Sequence, residues 1–293
     1  MKKGLFVLFI LTGLVAYSQD LTSLISDKNI HSILKESQTE LTIINHKDYD
    51  LKRHYKLIIK NKFGDYLKNI NIFQDNFRKI KKANVIIRDL SGNEIDKYKL
   101  NDFEDKVYDF SNFDSDDSFK VLKPSTTKYP FEIEVSYSIH NTASLFYTVW
   151  QPEFENMHVI NAQLKVIDFT KNNLRYISKN AKEPEIIDQE NSKVYKWTLS
   201  NSTPVDYESY NSISEDYFST VLLAPNQFEM DGYKGDLSSW KSFGNWVSKL
   251  NDSRNTFSDD DRKAILSSDL KKESTLETVK SIYRYLQQTT RYI

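Results

Sequence analysis

The sequence predicts a mainly β protein, an antiparallel β-sandwich followed by a short helical C-terminal segment. Three observations predict it. Apolar and polar residues alternate with period two in several segments between residues 51 and 199, which gives each strand one dry face and one wet face. The chain carries 18 Tyr, 17 Phe and 4 Trp against only 7 Gly and 6 Pro, a composition suited to sheets and unlike that of disordered or collagen-like chains. After about Asp231 the apolar spacing changes to that of amphipathic helices. No long helical pattern separates the strands, which argues against a parallel sheet with crossover helices.

The elements follow in order. Met1-Lys2-Lys3 is a positive start, and Gly4 to Ala16 is an uncharged apolar run. That run is too short for the ~20 residues that span a bilayer. With small residues at Ala16 and Ser18, it reads as a signal peptide over residues 1–18, cleaved to leave Gln19 first; an uncleaved anchor is the competing reading. Leu51, Tyr55, Leu57 and Ile59 then share one parity, and Lys52, His54, Lys56 and Lys60 the other, so residues 51–60 form a half-buried strand ended by a turn at Lys62 to Asp65. Asn84–Asp89 and Glu94–Leu100 flank Leu90-Ser91-Gly92-Asn93 as a hairpin. The clearest strand is Phe131–His140, with Phe131, Ile133, Val135, Tyr137 and Ile139 on one face and Pro130 just before it, where its missing N–H does least harm. Ala162–Phe169, Leu174–Ser178 and Val194–Leu199 continue the pattern. One wet and one dry face per strand is the signature of two sheets packed face to face.

Asp231 to Asp236 holds two of the glycines and is the candidate hinge between a β-sandwich module, residues 19–230, and a helical piece, residues 236–293. In that piece Trp240, Phe243, Val247 and Leu250 mark one helix and Ser258 with three aspartates opens a second. Ser274-Thr-Leu-Glu277 is a capping box for a third, whose apolar stripe is Leu276, Val279, Ile282, Tyr283 and Leu286.

Composition excludes much chemistry. The 40 Lys+Arg and 41 Asp+Glu nearly cancel, so a nucleic-acid partner held by net charge is not expected. With no Cys there is no disulfide, thiolate metal site or cysteine nucleophile. The scattered glycines form neither a dinucleotide nor a phosphate loop, and the five histidines never pair at the spacing of a zinc helix. No catalytic, cofactor-binding or metal residue is assigned, and no cofactor is expected. Three features stay open. His54 and His140 fall on wet strand faces, as surface histidines or as a ligand or proton-transfer group. Asp102, Glu104, Asp105, Asp109, Asp114, Asp116 and Asp117 form an acidic stretch, read as a solvated loop or as a Ca²⁺ site that lacks the turn Gly and distal Glu of a calcium loop. Tyr147, Trp150 and Phe154 near Pro152 are core packing or an exposed platform for sugar or peptide.

The strand patterns Tyr55–Asn61 with Gly64, Ala83–Asp89 with Gly92, the acidic Phe113–Asp117 and Tyr129–Tyr137 together resemble the domain-of-unknown-function family 3857, over about residues 30 to 230. That resemblance implies an exported protein of a Gram-negative envelope, in which this domain commonly precedes a transglutaminase-like domain. Trp240 to Ile293 resembles the opening helices of such a domain, Ile282 to Ile293 above all. Transglutaminase-like domains work through a cysteine, a histidine and an aspartate downstream of the equivalent of Arg291-Tyr292. No residue here matches that triad, and the resemblance implies a chain that stops before the catalytic core.

The expected function is therefore a non-catalytic, exported β-sandwich module, periplasmic or extracellular, that binds or positions a peptide, glycan or envelope protein, with no nucleic acid and no membrane span after signal removal. The alternatives are an envelope hydrolase with its site in the sandwich and a structural envelope protein.

Overall fold

A computed structural model describes residues 21–107, 117–125, 128–171, 174–204, 217–252, 254 and 256–290. The expected signal peptide lies outside the described residues, as do Asp109, Asp114 and Asp116 of the acidic stretch and Arg291-Tyr292. Residues 21–26 are helical (α1). The strands are β1 (Ser32–Ile43), β2 (Tyr49–Ile59), β3 (Ile70–Gln74), β4 (Arg78–Arg88), β5 (Glu94–Lys99), β6 (Glu104–Val107), β7 (Ser118–Leu122) and β8 (Phe131–Asn141). They continue as β9 (Met157–Asp168), β10 (Leu174–Lys179), β11 (Glu185–Asp188), β12 (Lys193–Ser202), β13 (Thr220–Pro225), β14 (Gln227–Met230) and β15 (Tyr233–Asp236). Three helices close the order: α2 (Trp240–Leu250), α3 (Asp259–Ser267) and α4 (Thr275–Thr289). The fold is mainly β with short C-terminal helices, and every segment expected as a strand or helix is one.

The largest sheet runs β11-β12-β9-β1-β2-β8-β4-β5. It is mixed rather than purely antiparallel, because β1 and β9 are parallel, Ser32 beside Met157 through Ile43 beside Asp168. The expectation of antiparallel pairing assumed that parallel neighbours need a crossover helix. Here the connection from β1 to β9 runs through other strands instead, so no helical pattern announces it. Two small sheets, β3-β7-β6 and β10-β13, cover the dry face. Leu41, Leu57, Ile87, Ile133, Leu164 and Trp197 of the large sheet share one core with Ile72 and Leu122 on one cover and Val221 and Leu223 on the other. Each such side chain contributes about 1.5–3 kcal/mol by leaving water, so this core holds the fold.

The other face is wet, as the alternation requires. Glu134 of β8 takes His54 of β2 (Nε2 to Oε1, 2.9 Å) and Arg88 of β4, while Glu40 takes Lys52 and Lys165 at 3.2 and 3.1 Å. Burial works to raise both carboxyls. For Glu134, hydrogen bonds from His54 and Arg88 and the charges of Lys56 and Arg88 outweigh it; for Glu40, Lys165 and Lys52 do, and both acids sit below the usual carboxylate range. At one end of this face α1 folds back, with Leu21, Leu24 and Ile25 on Ile30, Ile33 and Ile58.

The hairpin at β4–β5 turns at Gly92, whose φ of 91° lies in the left-handed region that glycine enters without strain. The segment read as a hinge is another hairpin: β14 and β15 pair Met230 with Tyr233 across the turn Asp231-Gly232, both at positive φ. Two glycines mark a tight turn as well as they mark a hinge, and the cross-strand hydrogen bonds decide for the turn. Helix α2 lies on this hairpin through Phe228, Trp246 and Leu145, with Phe243 and Leu250 at the edge. The apolar stripe of α4 is exposed along its length, from 63% at Leu276 to 52% at Leu286. Ser274 caps α4 as expected, its Oγ accepting from Glu277 N at 3.2 Å.

Candidate functional site

A cleft of about 630 Å³ opens where the cover leaves the middle of the dry face bare. Its floor is set by strand register. Thr39 of β1, Arg53 of β2 and Tyr137 of β8 stand opposite one another, and Ser37 stands opposite Tyr55. Period-two geometry sends all five side chains to the core side, yet none is aliphatic. They make a polar island inside an otherwise apolar face.

One wall is the segment from Leu145 to Glu155, which has little regular structure but is tied down along its length. Tyr49 donates its hydroxyl to Phe146 O at 3.0 Å, and Arg53 Nη2 donates to Thr148 Oγ1 at 2.8 Å and to Val149 O at 3.3 Å. Trp150 exchanges backbone bonds with Val221, at 3.0 and 2.8 Å. The buried Glu153 accepts from Ser219 N at 2.6 Å. The opposite wall is Tyr66 to Asn71, leading into β3, and Tyr66 and Phe154 line the cleft while remaining largely exposed. Burial pushes the Tyr49 hydroxyl up to about 12 and also raises Tyr55, with Tyr137 adding to the latter. Both phenols therefore stay protonated at neutral pH and can donate hydrogen bonds.

Among the described residues lining the cleft Arg53 is the sole charge, and none is Asp or Glu. Its Nε is buried without a hydrogen-bond partner, and so is Trp150 Nε1. What such a cleft can do is hold a molecule that brings acceptor oxygens and stacks on rings. Its described lining offers neither a nucleophile with a neighbouring base nor a pair of carboxylates.

A second cleft, about 830 Å³, lies between residues 45–48, the β14–β15 hairpin and α2. It carries charges of both signs, Lys47, Asp48, Glu229, Lys234, Asp236 and Lys249, and Lys47 already reaches Glu229 at 3.7 Å.

The structure separates the features that the sequence singled out. Of the aromatic trio, Tyr147 and Trp150 are buried and Phe154 is exposed; Trp150 and Phe154 both line the first cleft. His54 and His140 lie on the far, wet face, each against a carboxylate, His140 Nδ1 being 2.7 Å from Asp50 Oδ1. They are cross-strand hydrogen-bond partners of carboxylates and take no part in the cleft. Of the acidic stretch, Asp105 binds Lys120 and Gln74, Asp102 accepts from Lys99 N, and Glu104 pairs with Lys106. No group of three or more His, Asp or Glu able to hold a metal exists among the described residues. No helix among them is long and apolar enough to cross a membrane.

Sequence reasoning missed Arg53. The signal was present: between Leu51 and Tyr55 the dry parity of β2 is interrupted by an arginine. A charge on the buried side of a strand is costly enough to mark a site.

Comparison with known proteins agrees with this architecture. A solved structure described as a "putative protease" from Parabacteroides distasonis superposes with a TM-score of 0.62 at 13% identity, covering 88% of this chain and 50% of its own. The chain thus spans about half the length of that protein, and the likeness shows the fold alone. Legionella pneumophila aminopeptidase A in complex with aspartic acid aligns at 12% identity over 70% of this chain and 22% of its own, with a TM-score of 0.33. No curated protein matches in sequence. The family model for "Domain of Unknown Function with solved-structure structure (DUF3857)" matches residues 47–206. That span runs from the turn before β2 to just past β12 and takes in both walls of the cleft and the whole of its floor except β1. Because it covers more than half of the chain, this protein belongs to the DUF3857 family.

Proposed function

We propose that the chain is a non-catalytic binding and positioning module of an exported, transglutaminase-like envelope protein. The observation that carries the reading is the cleft: a preformed recess with polar groups converging on its floor, walled by a segment that four separate sets of hydrogen bonds hold in place. Such sites bind with little ordering cost. The non-catalytic half draws support from chemistry. Acyl transfer of the transglutaminase kind needs a thiolate, and the sequence contains no Cys. The positioning half draws support from α4, whose stripe of Leu276, Val279, Ile282, Tyr283 and Leu286 faces solvent. A helix apolar on one face buries that face against another element, and a neighbouring domain is the element the resemblance implies.

The test uses the purified chain. Tetra-alanine peptides and chitotetraose are titrated in while tryptophan fluorescence is followed, and the mixtures are then searched for products by mass spectrometry. Saturable binding that weakens in Phe154→Ala, with the probe recovered intact, is the expected result. Product formation by the pure chain would overturn the non-catalytic reading, and absence of binding by every probe would overturn the binding reading. Export is tested separately: the mature protein in the periplasmic or secreted fraction should begin at Gln19.

A further inference from the structure

We propose that the cleft takes an extended peptide bearing a free carboxylate, and that Arg53 holds that carboxylate; this rests on the binding-module reading and names its ligand class. Arg53 stands on the dry side of β2, in line with the core residues Leu51 and Leu57. A guanidinium there is costly unless hydrogen bonds and a counter-charge compensate it. Its Nη2 is satisfied by Thr148 and Val149, but its Nε is buried without a partner. Trp150 is 3% exposed and its Nε1 also lacks a partner. It follows directly in sequence on the two residues that hold Nη2, and both Arg53 and Trp150 line the cleft.

Both groups are donors only and cannot satisfy each other. What is missing is an acceptor. Beside a positive charge, in a lining without Asp or Glu among the described residues, the acceptor that gains most is an anion, because a charge-assisted hydrogen bond is about twice as strong as a neutral one.

The rest of the cleft selects a peptide. Strand β3 ends its three-stranded sheet and pairs with β7 alone among the described residues. Its start, Ile70 and Asn71, lines the cleft together with Asn69. An open strand edge supplies the backbone hydrogen bonds by which extended peptides add to sheets. Amide side chains offer a donor and an acceptor to the same peptide groups, and the exposed ring of Phe154 gives a ligand side chain something to pack on.

The experiment is calorimetric titration of the full mature chain with four probes: acetyl-tetra-alanine ending in a free carboxylate, the same peptide capped as its amide, tetragalacturonate, and inorganic phosphate. The free acid should bind at least tenfold more tightly than the amide, a difference of about 1.4 kcal/mol, and should shift the Trp150 indole N–H resonance. Arg53→Gln should abolish the preference and Arg53→Lys should keep part of it. If Arg53→Gln fails to fold, the acid-to-amide ratio and the indole shift of the unaltered chain still decide. Equal affinity for acid and amide overturns the inference and leaves the binding-module reading standing. So does tighter binding of tetragalacturonate, which would make the ligand a saccharide, or phosphate competing as well as the peptide acid, which would mean that an anion alone suffices. Silence from all four probes sinks both readings.

Discussion

Truncating Trp246 to alanine should release the C-terminal helices while leaving the β core folded. Trp246 is the central anchor of α2. Its ring meets Phe228 edge-on at 4.9 Å and stacks on Phe243 at 5.6 Å. Among the described residues, the cluster it belongs to has Leu145 and Phe228 as its other buried members and is separate from the main core. Trp→Ala in a packed site costs about 3–5 kcal/mol, and an 11-residue helix is shorter than the ~12–15 residues that hold together alone in water. At 1.4 kcal/mol per decade, even the low end of that range raises local opening by about 100-fold. Hydrogen exchange read by mass spectrometry should show it: amides of residues 240–250 exchange about 100-fold faster in Trp246→Ala, while those of β2 and β9 hold their wild-type rates. Limited proteolysis gives an independent reading. The intact chain should be cut first between residues 251 and 258, beyond the anchored helix, and the variant first near residues 237–239. If β2 and β9 lose protection together with α2, the helix is part of the main cooperative unit and the argument from a separate cluster fails. A first cut of the intact chain at residues 231–236 would show that the hairpin turn behaves as a hinge after all.

Three further outcomes follow from the same geometry. A Cβ at Gly235 would lie 2.2 Å from Phe228 Cζ, and Phe228 is buried beneath α2, so Gly235→Ala should cost about 1–3 kcal/mol by overpacking; an unchanged denaturation midpoint would refute the tight fit. Glu134 and Glu40 titrate below their ordinary range in the folded chain, so the stability they contribute is present above about pH 4.5 and is lost as pH falls through their lowered values. Glu134→Gln should therefore flatten the acid limb of Tm against pH, and an acid limb of unchanged steepness would count against the ionic face. Ser274 Oγ caps α4, so Ser274→Ala should lower local helix stability by about 1 kcal/mol, visible as faster amide exchange at residues 275–278 alone.

The fold was legible in the sequence wherever burial alternates cleanly. Residues 131–140 and 194–199 each show one apolar parity, and both are strands that the core covers on one side. Strand β1 left no such trace for two physical reasons. A register shift between Leu34 and Glu36 breaks its period, and Ser37 and Thr39 put polar atoms on its core side. The parallel pairing of β1 with β9 was invisible because pairing across a sheet is set by the path of the whole chain, which local periodicity does not record. The hinge and the hairpin turn use the same residues, Asp and Gly at positive φ, and only cross-strand partners distinguish them.

The cleft follows from the same exception. Had residues 37, 39, 53, 55 and 137 obeyed the alternation with aliphatic side chains, the dry face of β1, β2 and β8 would have closed under its cover like the rest of the core. Five polar or aromatic side chains with hydroxyls or a charge instead need partners, and the protein supplies some of them from the 145–155 segment, through Thr148 Oγ1 and Val149 O. The segment is held where it is partly because Arg53 holds it. The arginine thus has two roles, fastening the wall and reading the ligand. Lysine at position 53 keeps a charge for the ligand and, like Nη2, donates from a single nitrogen, so it should keep part of both the wall contact and the preference for an acid. Glutamine removes the charge and is too short to reach the place where Nη2 meets Thr148 and Val149, so it should lose both. A cleft whose wall is fastened by the residue that reads the ligand couples binding to order in the wall. Faster amide exchange at residues 148–151 in Arg53→Gln than in Arg53→Lys, in step with the loss of acid preference, is the pattern that this coupling requires, and the opposite order would separate the two roles.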